Sequence, residues 1–199
     1  MVKTIVGSFD SFNDAHQVAN DLRAAGVMDS DISIVANNAT GEYREDPRVK
    51  TTDADATSAT AKGAVTGAVV GGGAGLAASL AGLAIPGIGP IIAAGPIVAT
   101  LAGAGTGAVA GGLIGGLVDL GVPESEAEYY AESVRRGGAL VTVRADEARA
   151  DEVTSIMRQR GAVDIEGRVE RWKESGWDRF DQDATPYTAD EIRRDRAMY

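Results

Sequence analysis

Apolar and polar positions alternate at the two ends of the chain in a way that predicts short strands with helices between them. Lys3–Phe9 (KTIVGSF) is short and β-branched and is followed by an Asp/Ser cap, so it reads as a strand. From Asp10 or Ser11 onward, Ala15, Val18, Ala19, Leu22 and Ala25 recur at helical spacing, with Gly26 just past the end. Asp31–Ala36 (DISIVA) is a second strand, so residues 1–36 make one β-α-β unit. Further on, Pro123 suits a first helical position, with Glu124, Glu126 and Glu128 near the positive end of the dipole. That helix is expected to reach Arg136 and stop at Gly137-Gly138. Ala139–Arg144 (ALVTVR) is a third strand. Asp146 then caps a helix with Val153, Ile156 and Met157 inward, ending at Gly161. Val163–Val169 (VDIEGRV) reads as a fourth strand, and Thr188 with Glu191 fits a capping box for a last helix over Ala189–Met198.

The two ends look like internal copies. LRAAGVMDSDI from Leu22 and MRQRGAVDIEG from Met157 place Arg23 with Arg158, Gly26 with Gly161, and Asp29 with Asp164 in register. Two such copies pairing through their strands predict an α+β, ferredoxin-like sandwich built from residues 1–36 and 124–169. Residues 37–62 are polar and read as a linker.

Between Gly63 and Val118 there is no Asp, Glu, Lys, Arg or His. Glycine recurs every fourth residue at Gly63, Gly67, Gly71 and Gly75, and again at Gly103, Gly107, Gly111 and Gly115. As helices, Gly63–Ala84 and Ile97–Val118 are each long enough for a hydrocarbon core of roughly 30 Å. Val65, Val69, Leu76, Leu80 and Leu83 share one stripe of the first arm, and the glycines lie opposite. Val98, Leu101, Val109, Leu113 and Leu117 do the same in the second. Small-xxx-small faces let helix backbones approach closely in lipid. In water, each mid-helix glycine costs about 1 kcal/mol of propensity. Pro86, Pro90 and Pro96 would break the helix at an apolar tip. The expectation is a Gly/Ala-rich helical hairpin over 63–118, inserted between strands two and three. Its bulky stripes face lipid or another subunit, and both its ends lie on one side of any membrane.

The net charge of -10 lies wholly outside that run, which argues against a nucleic-acid partner, because phosphate binding needs clustered cations. No cysteine is present, so disulfides and thiolate chemistry are excluded. The start of the chain lacks a signal-like apolar core, which places the polar parts on the cytoplasmic side. Gly73, Gly75 and Ala78, and likewise Gly103, Gly105 and Ala108, match a dinucleotide-type spacing. Neither match follows a strand, and a four-residue glycine period generates them by chance. His16 lies on a polar helix face with no nucleophile specified beside it. Asp29, Asp31 and Asp164 fall at turn and cap positions. No catalytic set, cofactor or metal is expected. In the aromatic, charged tail over 170–199, Trp172, Trp177 and Phe180 either strap across the sheet or anchor at a membrane interface, where such residues are enriched.

KTIVGSFDSFNDAHQVANDLRAAGVMDSDISIVA, the glycine run with AIPGIGPIIAAGP, and LGVPESEAEYYAESVRRGGALVTV together resemble bacterial general stress proteins of the 17M (heat-induced stress protein) type. The resemblance covers most of residues 1–169 and implies a stress-induced, membrane-associated, non-enzymatic protein with no catalytic residues to carry over. The reading is thus a homo-oligomeric protein that meets membrane lipid through glycine-zipper hairpins. Two alternatives stand beside it: a soluble homo-oligomeric scaffold with the hairpins in its interior, and a small-ligand regulatory module.

Overall fold

The Ser11 hydroxyl accepts the Asp14 amide, ending β1 (Val2–Phe9) and starting α1 (Phe12–Ala24) where the sequence pattern placed them. A short 3-10 turn over Asp29–Asp31 leads into β2 (Ile32–Asn37). The computed structural model describes residues 1–41, 80–95, 97 and 112–198. Within them follow β3 (Leu80–Ile85), β4 (Gly89–Ala94), α2 (Gly112–Asp119), α3 (Glu124–Arg135), β5 (Ala139–Asp146), α4 (Ala150–Gln159), α5 (Ile165–Glu174) and α6 (Ala189–Arg196). The architecture is mixed α+β, with one antiparallel sheet in the order β1-β5-β2-β4-β3. β1 and β2 both pair with β5, which lies between them.

Two cores follow from the period-two alternation of the strands. Ile32, Ile34 and Ala36 of β2, with Val141 and Val143 of β5, pack under Ala15, Val18 and Leu22 of α1 and Val153 and Met157 of α4. On the other face, Val35, Ile91, Ala93 and Leu140 join Leu113 and Leu117 of α2 and Ala127, Tyr130, Ala131 and Val134 of α3. Every residue of β2 is therefore buried.

The glycine-rich run departs from expectation at Leu80. Leu80 and Leu83 belong to a strand, opposite Ala93 and Ile91 of β4, and not to a helical stripe. The reason is the turn. Pro86 and Gly87 occupy its central positions, Gly87 has a φ of +75°, and the Ile88 amide donates to the Ile85 carbonyl at 3.1 Å. Proline followed by a left-handed glycine is the type II pattern, so this segment makes a β-hairpin tip instead of a helix break. Pro90 sits near the start of β4, where its missing N–H is not needed, and its carbonyl accepts the Asn38 amide at 2.9 Å. β4 then adds to β2. The α/β body therefore includes residues 80–95, 97 and 112–118, which the sequence pattern had assigned to the hairpin.

Leu113 and Leu117 are 1% and 0% exposed in the second core, so they face this domain and neither lipid nor another subunit. Gly115 lies on α2 with open space where a Cβ would stand, so no helix backbone approaches it among the described residues. Val163–Val169 is also corrected. The Asp164 side chain accepts the Gly167 amide and starts α5, and Ile165, Val169 and Trp172 turn inward at helical spacing. Gly63, Gly67, Gly71, Gly75, Gly103, Gly107, Gly111, Val65, Val69, Leu76, Val98, Leu101, Val109 and Pro96 lie outside the described residues.

Candidate functional site

The fourth strand read at 163–169 would have flanked β1. Its replacement by a helix leaves a cleft of about 550 Å³ along that edge, within the 300–1,000 Å³ common for binding sites. Backbone polarity fixes which groups of β1 face it. The Ser8 carbonyl accepts the Val163 amide at 2.8 Å, and the Val6 carbonyl meets the Tyr130 hydroxyl at 3.4 Å. In an antiparallel pair, alternate residues turn both N–H and C=O away from the neighbouring strand. Thr4, Val6 and Ser8 are therefore the outward residues of β1.

Ile5 and Gly7 line the cleft with Met157 and Arg158 of α4, while Val6 lines it with Glu126, Tyr129 and Tyr130 of α3. Residues 162–166 close the far side. A Cβ on Gly7 would come within 2.9 Å of Met157 Sδ, so the strand can approach α4 only without a side chain there. Tyr130 is buried, and burial pushes its phenol up to about 12, with help from the Glu126 and Glu166 carboxylates. The hydroxyl is thus a proton donor at every physiological pH. The cleft can hold apolar groups against Met157 and offer hydrogen bonds from a strand edge. Its rim carries Glu126, Asp164 and Glu166 against one cation, Arg158.

The C-terminal tail clamps the opposite end of α3. Glu132 is wholly buried and accepts from Arg136 at 2.6 Å and Arg135 at 3.4 Å, and Arg136 also donates to Asp195 of α6 at 2.9 Å. Burial alone would lower the Arg136 pKa, but the Glu132 carboxylate, then Tyr187 and Asp195, raise it. The Arg136 guanidinium lies 4.8 Å over the Trp172 ring, and Arg135 lies 4.8 Å over Tyr187. Ile192 seats against Gly137, whose φ of +98° and lack of a Cβ permit the contact.

Trp172 is 1% exposed and cannot act as an interface anchor. Trp177 and Phe180 are half-buried. Trp177 stands edge-on to Trp172 and Tyr129 at 5.8 and 6.1 Å, and Phe180 packs on the second core. The tail also crosses the β3–β4 turn, because a Cβ on Gly87 would lie 2.8 Å from Gln182 Cα. Pro86 and Pro90 remain exposed beside it.

The other residues singled out from sequence have local partners. His16 meets Asn20 and stacks on Phe12, Asp29 pairs with Arg23, and Asp31 pairs with Arg144 at 3.2 Å. No group of three potential metal ligands occurs among the described residues. The cleft is not legible in the sequence because its walls, Tyr129 and Tyr130, sit in an ordinary helical pattern, and because residues 163–169 read as a strand. Comparison with family models, with curated proteins and with solved structures finds no match for this chain.

Proposed function

We propose that this chain is a non-enzymatic stress-response protein that self-assembles and attaches to membrane lipid through its uncharged glycine-rich residues. The split β1–α1–β2 unit around β5 supports a ferredoxin-like reading of the body that carries them. The observation behind the proposal is how the run leaves that body. Leu80 pairs with Ala93, and the Ile97 amide donates to the Ser33 hydroxyl at 3.1 Å, so the chain enters β3 and leaves β4 at one end of the sheet. Uncharged sequence lies on both sides of this hairpin, over 63–79 and 98–111.

No helix among the described residues is long and apolar enough to cross a membrane. In this reading attachment is from the cytoplasmic face, with glycine ridges packing copies together.

The test is carbonate extraction of membranes followed by liposome flotation of the full chain purified without detergent. The protein should float, and Gly71→Leu and Gly111→Leu should shrink the assembly. Recovery as a discrete lipid-free particle in the supernatant would establish the soluble scaffold instead.

A further inference from the structure

The geometry points to the outer edge of β1 as a strand-addition site for an extended, basic segment of another polypeptide. Strand addition needs a free row of backbone groups, pockets for alternate side chains, and room beside the edge. Among the described residues β1 meets these conditions over Thr4 to Val6. Its pairing with β5 runs without a break from Val2 to Phe9. Among the described residues the outward backbone groups of Thr4 and the outward amide of Val6 have no ladder partner, and the Val6 carbonyl has the long contact from the Tyr130 hydroxyl. Protein sheets commonly blunt such edges with proline, bulges or a covering element. The other edge shows two of these devices: a register shift between Ala81 and Leu83 in β3, and a tail crossing its turn. β1 has no proline or bulge, and among the described residues Val163 meets its edge at Ser8 and the Tyr130 hydroxyl meets it at Val6.

An added strand beside residues 4–6, stopping where Val163 already takes the Ser8 carbonyl, would send alternate side chains toward Met157 on one face and Tyr130 on the other. Charge selects the occupant. Among the lining residues Glu126, Asp164 and Glu166 outnumber Arg158, with Lys173 set back over the Tyr129 ring, so the rim favours lysine or arginine flanking the apolar positions. A second copy of this chain is disfavoured for the same reason, since two-fold pairing of β1 edges would bring both sets of carboxylates together.

The probe is a fluorescein-labelled hexapeptide of alternating lysine and valine, titrated against the full chain in an anisotropy measurement at low salt. Saturable one-to-one binding is expected. At least a tenfold loss should follow when alternate backbone nitrogens of the probe are methylated, which removes its ladder donors and keeps its charge. A similar loss is expected for the Glu126→Lys/Glu166→Lys double variant; both glutamates are exposed. An unchanged unfolding midpoint confirms that the variant remains folded, and the methylated probe tests the edge on the unaltered protein. The proposal is overturned by absent binding, equal binding of a glutamate–valine hexapeptide, indifference to methylation, or sedimentation showing a dimer that the double variant dissolves.

Discussion

The segments after Gly26 and Gly161 start from matching sequence and end in different structures. Each glycine closes a helix packed on the same face of the sheet, and each is followed by an Asp three residues later. After Asp29 the chain enters β2 and takes a buried place beside β5. After Asp164 it turns into α5, and among the described residues no strand pairs with the outer edge of β1. The first copy continues as Ile32-Ser-Ile-Val-Ala, which has no charge and can be buried on both faces. The second continues as Ile-Glu-Gly-Arg-Val-Glu-Arg-Trp, whose four charges suit a half-exposed helix. A shared helix ending therefore does not guarantee a shared strand, and the difference is what opens the cleft.

The largest test of that contrast removes what holds α5 down. Trp172→Ala should cost about 3–5 kcal/mol, as expected for a large buried aromatic, seen as a lower denaturant midpoint. It should also loosen the tail, since Trp177 and Arg136 both rest on that ring. If stability is unchanged, α5 is not anchored through this side chain.

Tyr130 gives the next effect. Below pH 10 the phenol is neutral in both the folded and the unfolded chain, so its contribution is fully present. Above the ordinary value of 10.0 the unfolded chain ionises first, and stability falls until the folded value of about 12. That loss is of order 2–3 kcal/mol. Unfolding midpoints from pH 9 upward should decline, and Tyr130→Phe should flatten that part of the profile.

The helix starts of the two halves can be compared directly. Asp164→Ala and Ser11→Ala each remove a cap that accepts an amide three residues on. Each should cost about 1 kcal/mol in thermal unfolding. Only the Asp164 change should alter occupancy of the β1 cleft, because only that helix lines it. The smallest effect belongs to Glu191, whose carboxyl is held below its ordinary range by hydrogen bonds from the Thr188 backbone and hydroxyl. Its contribution is present at neutral pH and is lost as pH falls through the folded value. A Thr188→Ala variant should show less acid sensitivity than the parent.

Local signals were sufficient for β1, α1, β2, α3, β5 and α4, where periodicity and terminal glycines agree, although Asp146, read as a cap, ends β5 and α4 starts after Arg149 with no side-chain cap. The Thr188–Glu191 capping box was legible for the same reason: both partners lie within one helical turn. The Gly-Ala-Leu run was ambiguous. Glycine every fourth residue fits a smooth helix face, yet Leu80–Ile85 is equally uncharged and small enough to lie in a sheet. Leu113 and Leu117 likewise read as an outward stripe only while the run was treated apart from the sheet.

The sequence by itself determined that a charge-free, glycine-punctuated run sits between two acidic α/β pieces, because composition and periodicity need no partner to be read. Only the tertiary structure decided that Leu80–Ala94 is a hairpin. A strand's hydrogen bonds are made to distant residues, here β2, whereas a helix makes its own. It also decided that residues 165–174 form a helix and not a strand beside β1, since the Asp164 cap and the inward Val169 and Trp172 act only once the helix packs on the body.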